Sequence, residues 1–152
     1  MKNITIARTA AVLLLVTASG MAQGRHPRYL HARTDLRAAQ FFLRVREEPN
    51  VTRNFERAAG ELEAAIHEID NAAVIDSKDL EDHPPIDTGL RRHDRFRKIA
   101  DLMRSARRDI EQEEDNPMAR KWRNAAFLHI DAALDFLHRA AVDARLDHEL
   151  GF

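Results

Sequence analysis

An all-α fold, specifically an antiparallel up-down-up-down four-helix bundle, is predicted by three observations. Apolar residues recur at alternating three- and four-residue spacing in four long segments. No segment alternates with the period of two that a half-buried strand requires. Proline-containing breaks separate the segments, and two of the breaks are short, which favours antiparallel neighbours.

Residues 1–22 are set apart from the fold. Lys2 and Arg8 give a basic start, Ala10–Ala18 is a short apolar run, and Gly20-Met21-Ala22 supplies small residues for cleavage after Ala22. The run is too short for a stable bilayer span, so the expected mature chain is residues 23–152, a single bundle domain without a membrane span, periplasmic or secreted from a bacterium. With no cysteine in the sequence, disulfides, thiolate metal sites and cysteine-linked lipid or haem are excluded. Loss of Lys2 and Arg8 leaves 22 basic and 25 acidic residues, net −3. That is no electrostatic footprint for nucleic acid.

The first helix is expected from Pro27 to about Arg46, with Tyr29, Ala32, Leu36, Ala39 and Leu43 on one stripe and proline at the first helical position. Glu48-Pro49-Asn50 breaks it. The second is expected from about Thr52 to Ser77, where Phe55, Ala59, Leu62, Ile66, Ile69 and Ala73 form a coiled-coil-like seam. The third runs from near Thr88 to Glu114 through Phe96, Ile99, Met103, Ala106 and Ile110. The fourth opens with Asn116-Pro117, a cap followed by proline, and continues through Trp122, Ala126, Ile130, Ala133, Leu137 and Ala140 to about Arg145. Residues 56–82 carry net −7 and residues 90–108 net +6. This complementarity predicts that helices two and three lie side by side, although each exposed pair contributes only about 0.2–1 kcal/mol. The arginines of helix three would alternatively serve an anionic partner.

The acidic stretch Asp76–Asp87 holds four aspartates, a glutamate and a lone histidine against a proline pair. In an up-down-up-down bundle it lies at the same end as the start of helix one and the end of helix four. His26, Asp76, Asp82, His83, His138 and His148 then converge. Imidazoles beside carboxylates suit a divalent metal such as zinc or copper, and His26, Asp76, Asp82 and His83 are the candidate ligands. The same residues also suit a plain turn with helix caps. An EF-hand is excluded by the missing central glycine. Glu63, His67 and Asp70 share a helix face, as do His31 and Asp35, but no Glu-x-x-His occurs, which argues against a di-iron bundle. His129 falls on the side of Trp122, Ala126, Ala133 and Phe136, so it is expected to be buried and to require a polar partner. Asp35, Glu63 or Asp70 would supply one, and Asp35 is itself a candidate buried polar residue. Neither a nucleophile motif nor a phosphate-binding glycine loop is present.

His26-Pro-Arg-Tyr-Leu-His-Ala-Arg-Thr-Asp-Leu-Arg37, Asp82-His-Pro-Pro85, Glu114-Asp-Asn-Pro117 and the stretch Arg123 to Ile130 together carry a family likeness. The chain resembles a group of small, exported, all-helical bacterial proteins of unassigned function. The resemblance covers nearly the whole expected mature chain and implies a bundle fold and export, without a mechanism. By motif it singles out His26, Tyr29, Asp35, Arg37, Asp82, His83, Pro84, Asp115, Asn116 and His129. Two function classes follow from these readings. One is an exported, non-catalytic binding or structural module with a protein partner or self-association. The other is a periplasmic divalent-metal-binding protein.

Overall fold

A computed structural model describes residues 27–75, 89–113 and 117–146. Four helices make up the fold: α1 (Pro27–Phe42), α2 (Pro49–Ile75), α3 (Arg92–Glu111) and α4 (Arg120–Asp143), with no strand among the described residues. The fold is an all-α four-helix bundle. Every predicted core position of α1 and α3 is buried, as are those of α2 and α4 except Ala59 and Trp122, which are half-buried.

The helix limits follow local chemistry. Pro49 occupies the first turn of α2, where its missing N–H would be unpaired in any case. Glu48 precedes it, with its carbonyl accepting from Thr52 N at 2.9 Å. The Thr52 hydroxyl meets the backbone N–H of Glu47 at 3.0 Å and its carbonyl at 2.9 Å, closing the α1–α2 turn. Asn116, the expected cap of α4, lies outside the described residues. Residues 117–119 form a turn, and Ala119 is already in right-handed helical conformation where the regular helix takes over. At the other end of α4, Arg145 adopts φ 59°, Leu146 N reaches Ala141 O at 2.8 Å and Arg145 N reaches Val142 O at 3.0 Å. These are the paired bonds of a Schellman stop, here with arginine where glycine is usual.

Helix order differs from the expectation. The most extensive packing joins α2 to α4 and α1 to α3, while α1 with α2 and α3 with α4 meet over less surface. Directions follow from named contacts. Arg28, at the start of α1, donates to the carbonyl of Gln112 after α3, and Glu47, after α1, binds Arg92 and Arg95 at the start of α3. Asn54 early in α2 meets Asp143 at the end of α4 at 2.9 Å. Arg107 of α3 meets Asp131 of α4 at 2.9 Å. All four packed pairs are therefore antiparallel, and the sequence of directions is up-down-down-up rather than up-down-up-down. α2 and α3 sit diagonally and run in the same direction, with α2 ending at one end of the bundle and α3 beginning at the other.

Small residues explain the closest pair. Ala58, Ala65 and Ala72 on α2, and Ala126, Ala133 and Ala140 on α4, recur every seven residues and are all fully buried. Interaxial distance depends on the side chains at the contact, and alanine permits the shortest approach. The charge complementarity assigned to α2 and α3 is spent elsewhere. α3 reaches Glu47 and Glu48 in the α1–α2 turn and Asp131 on α4, while Asp70 of α2 holds Arg33 of α1 at 2.7 Å.

Candidate functional site

His26, Asp76, Asp82 and His83, the candidate metal ligands, lie outside the described residues. Pro27 and Ile75, next to the first two in sequence, stand at the same end of the bundle. His138 does not: it lies towards the far end of α4, opposite the start of α1. Among the described residues no group of three or more His, Asp or Glu side chains is placed to hold a metal ion.

His129 and Asp35 are half-buried rather than buried. His129 leaves 35% of its side chain exposed at the α2–α4 seam. Its Nδ1 lies 2.7 Å from Glu61 Oε2, the Glu61 side chain being 31% exposed. The partner comes from α2, as expected of two of the three candidates, but is a different residue. Glu63 instead accepts from Gln40 Nε2 at 2.7 Å and Asp70 pairs with Arg33, both on the α1 side. The imidazole and carboxylate stitch α2 to α4 at a wet boundary. Arg57 and Arg139 continue that boundary, each lying over the Phe136 ring, at 5.7 and 5.3 Å.

Asp35 faces α3, where Asp109 is the titratable neighbour. Burial, and then the Asp35 carboxylate, push the Asp109 pKa up, against the opposing pull of His31, Arg28 and Arg108. A carboxyl with a raised folded-state pKa holds its proton longer in the native than in the unfolded chain. Stability is therefore lost as pH rises from the ordinary aspartate range through the raised value. Asp109→Asn is expected to remove that loss and raise the melting temperature at neutral pH. Chemical denaturation of both proteins across the acid range checks this, and parallel stability profiles would contradict it. Glu48 responds in the opposite sense. Hydrogen bonding from its own backbone N–H, with a smaller contribution from Arg92, holds its carboxyl below the ordinary range despite some desolvation.

The concave feature best placed for recognition lies along α1, the turn after it and α2, at one of the two less closely packed seams. It encloses about 300 Å³ and is lined by Arg37, Gln40, Phe41, Arg44, Glu63 and Ile66. Ile66 forms an apolar floor, Phe41 stands 40% exposed on the α1 wall, and the Gln40–Glu63 hydrogen bond crosses the seam. Val45, in the bend that follows α1, is 38% exposed. Among the described large apolar residues that are exposed, these two alone lie within four residues of each other in sequence; Met118, Leu128 and Val142 are scattered. Arg44 is exposed and has no ion-pair partner among the described residues.

Sequence reading overlooked this groove, though a signal for it was present. Phe41 and Phe42 are adjacent and therefore about 100° apart round the helix. Phe42 joins the core at 3% exposure, so Phe41 has to point away from it. Arg37 and Arg44 flank Phe41 in sequence, and Val45 follows in the bend after the helix. Comparison with protein-family models, with curated proteins and with solved structures finds no match to this chain.

Proposed function

We propose that this chain is an exported, non-catalytic helical-bundle module of the bacterial periplasm or exterior that binds a partner through the α1–α2 groove. The observation that carries the reading is the Phe41 ring, left exposed on a concave surface that Arg37 and Arg44 also line, with Val45 exposed in the bend that follows. Scattered exposed apolar residues need no explanation, whereas a contiguous set bordering a groove marks an interaction surface. The basic, apolar, small-residue order of residues 1–22 supports export.

Site-specific photocrosslinking in the exported fraction tests both parts. A benzophenone side chain at position 41 is expected to trap one adduct of defined mass, and the same group at Leu128 none. Leu128 is 72% exposed against 40% for Phe41, so accessibility alone would favour the control. Adducts at neither position, or the same adducts at both, would remove the groove from consideration.

A further inference from the structure

We infer that the α1–α2 groove is a self-association site: a second copy of this chain lies face to face on it, with Phe41 of each copy seated over Gly60 of the other. The inference rests on the binding reading above and names its occupant. Gly60 stands near the middle of α2 and is exposed. A Cβ placed there would have no atom within 4 Å, so nothing among the described residues requires a glycine at this position. Glycine inside a helix is less stable than alanine. Its bare backbone is therefore an uncompensated weakness in a single copy. It is also what a side chain approaching closely from outside needs.

Level and charge both select a second copy. Gln40 Nε2 reaches Glu63 Oε2 at 2.7 Å and Ala59 O at 3.4 Å, so Gln40 stands level with the turn of α2 from 59 to 63. Because α1 and α2 are antiparallel, one step on from Gln40 brings Phe41 level with Gly60. A two-fold axis running along the groove keeps every level and exchanges the two walls. α1 of each copy then overlies α2 of the other, and the exposed Phe41 ring meets the bare turn at Gly60. The walls carry both signs of charge. Arg44, in the turn after α1, and Glu56, one helical turn before Gly60, are exposed without an ion-pair partner among the described residues. Both lie on the same side of the Phe41–Gly60 level. The exchange thus brings Arg44 of one copy within side-chain reach of Glu56 of the other. An acidic partner would meet Glu56 and the exposed Glu63 as well as Arg44, and a basic one would meet Arg44. A surface bearing the same two signs on exchanged walls answers both.

Sedimentation equilibrium of the exported chain and its variants provides the test. The chain is expected to pass from monomer to dimer as its concentration rises through the micromolar range. Gly60→Gln fills the bare turn with a good helix former, and is expected to weaken the dimer about tenfold without lowering the thermal stability of the dilute monomer. Arg44→Glu and Glu56→Arg each set like charges against one another, twice in a two-fold contact. Each is expected to weaken the dimer about tenfold, and the two together to restore it to within about threefold. Leu128→Glu, on α4, is expected to leave it unchanged. A chain monomeric throughout, a dimer indifferent to Gly60→Gln, or a double exchange as weak as either single one would each overturn the inference. The crosslinked adduct at position 41 separates the two readings. At twice the mass of the chain it supports the second copy. An adduct of another mass from a monomeric chain makes the second copy wrong and leaves the groove standing. If no adduct forms, both readings fall.

Discussion

Phe96→Ala is expected to lower the stability of the bundle by about 3–5 kcal/mol, the range for deleting a fully buried aromatic ring. Phe96 of α3 and Phe55 of α2 are 0% and 1% exposed, with ring centroids 5.0 Å apart and planes tilted by 50°. Their helices are diagonal partners that otherwise make little contact, so the two rings bridge the interior of the bundle near the end where both helices begin. Truncating either leaves a void that four separately anchored helices cannot close without moving. The loss therefore combines lost transfer energy with a cavity term. Phe96→Leu refills part of the volume and is expected to cost under about 1.5 kcal/mol. A cycle with Phe55→Leu should return a coupling of about 0.5–1.5 kcal/mol, the aromatic-pair share. Urea unfolding with an unchanged m-value is the measurement. A loss below about 1.5 kcal/mol for Phe96→Ala would mean that the rings do not share a packed centre.

The Phe55–Phe96 bridge also marks where sequence reasoning stopped. Both rings lie on stripes whose period identifies them as core, because helical periodicity is a local property. Which helices face one another is not local. Charge bias along α2 and α3 pointed to adjacency, but exposed ion pairs contribute only about 0.2–1 kcal/mol each. Fully buried alanines at seven-residue spacing on α2 and α4 decide the matter by permitting close backbone approach, and two runs of alanine look unremarkable beside a run of arginines. His129 failed for a finer reason. Residues 122, 129 and 136 form a stripe of their own at seven-residue spacing, one residue behind the 130 and 137 positions, and all three are half-buried. A rotation of about 100° separates core from boundary, and a single helix pattern does not locate that edge. The adjacent Phe41 and Phe42 mark one ring as facing away from the core, but the concavity beside Phe41 depends on how far α1 stands from α2, which only tertiary packing sets.

The clasp at the α1–α2 turn is what places the start of α3, and Glu47→Ala is expected to cost about 3 kcal/mol. Glu47 and Arg95 side chains are only 10% and 13% exposed and form an ion pair, and Glu47 Oε2 also lies 3.0 Å from Arg92 Nε. Removing the carboxylate leaves Arg95 largely out of water without its partner. An uncompensated charge of this kind is far more costly than the net contribution of the intact pair. The turn itself is spared, because Thr52 holds Glu47 through backbone N–H and carbonyl groups. The measured loss thus reports the tertiary contact and not local unwinding. Glu48, exposed beside the same Arg92, makes the matched control, and Glu48→Ala is expected to be nearly neutral. Arg95→Met in the Glu47→Ala background should recover part of the loss by removing the stranded guanidinium. Thermal and urea unfolding of the four proteins decides the matter. If Glu47→Ala proves as mild as Glu48→Ala, or Arg95→Met adds to the damage, the clasp is not what anchors α3 in the up-down-down-up order.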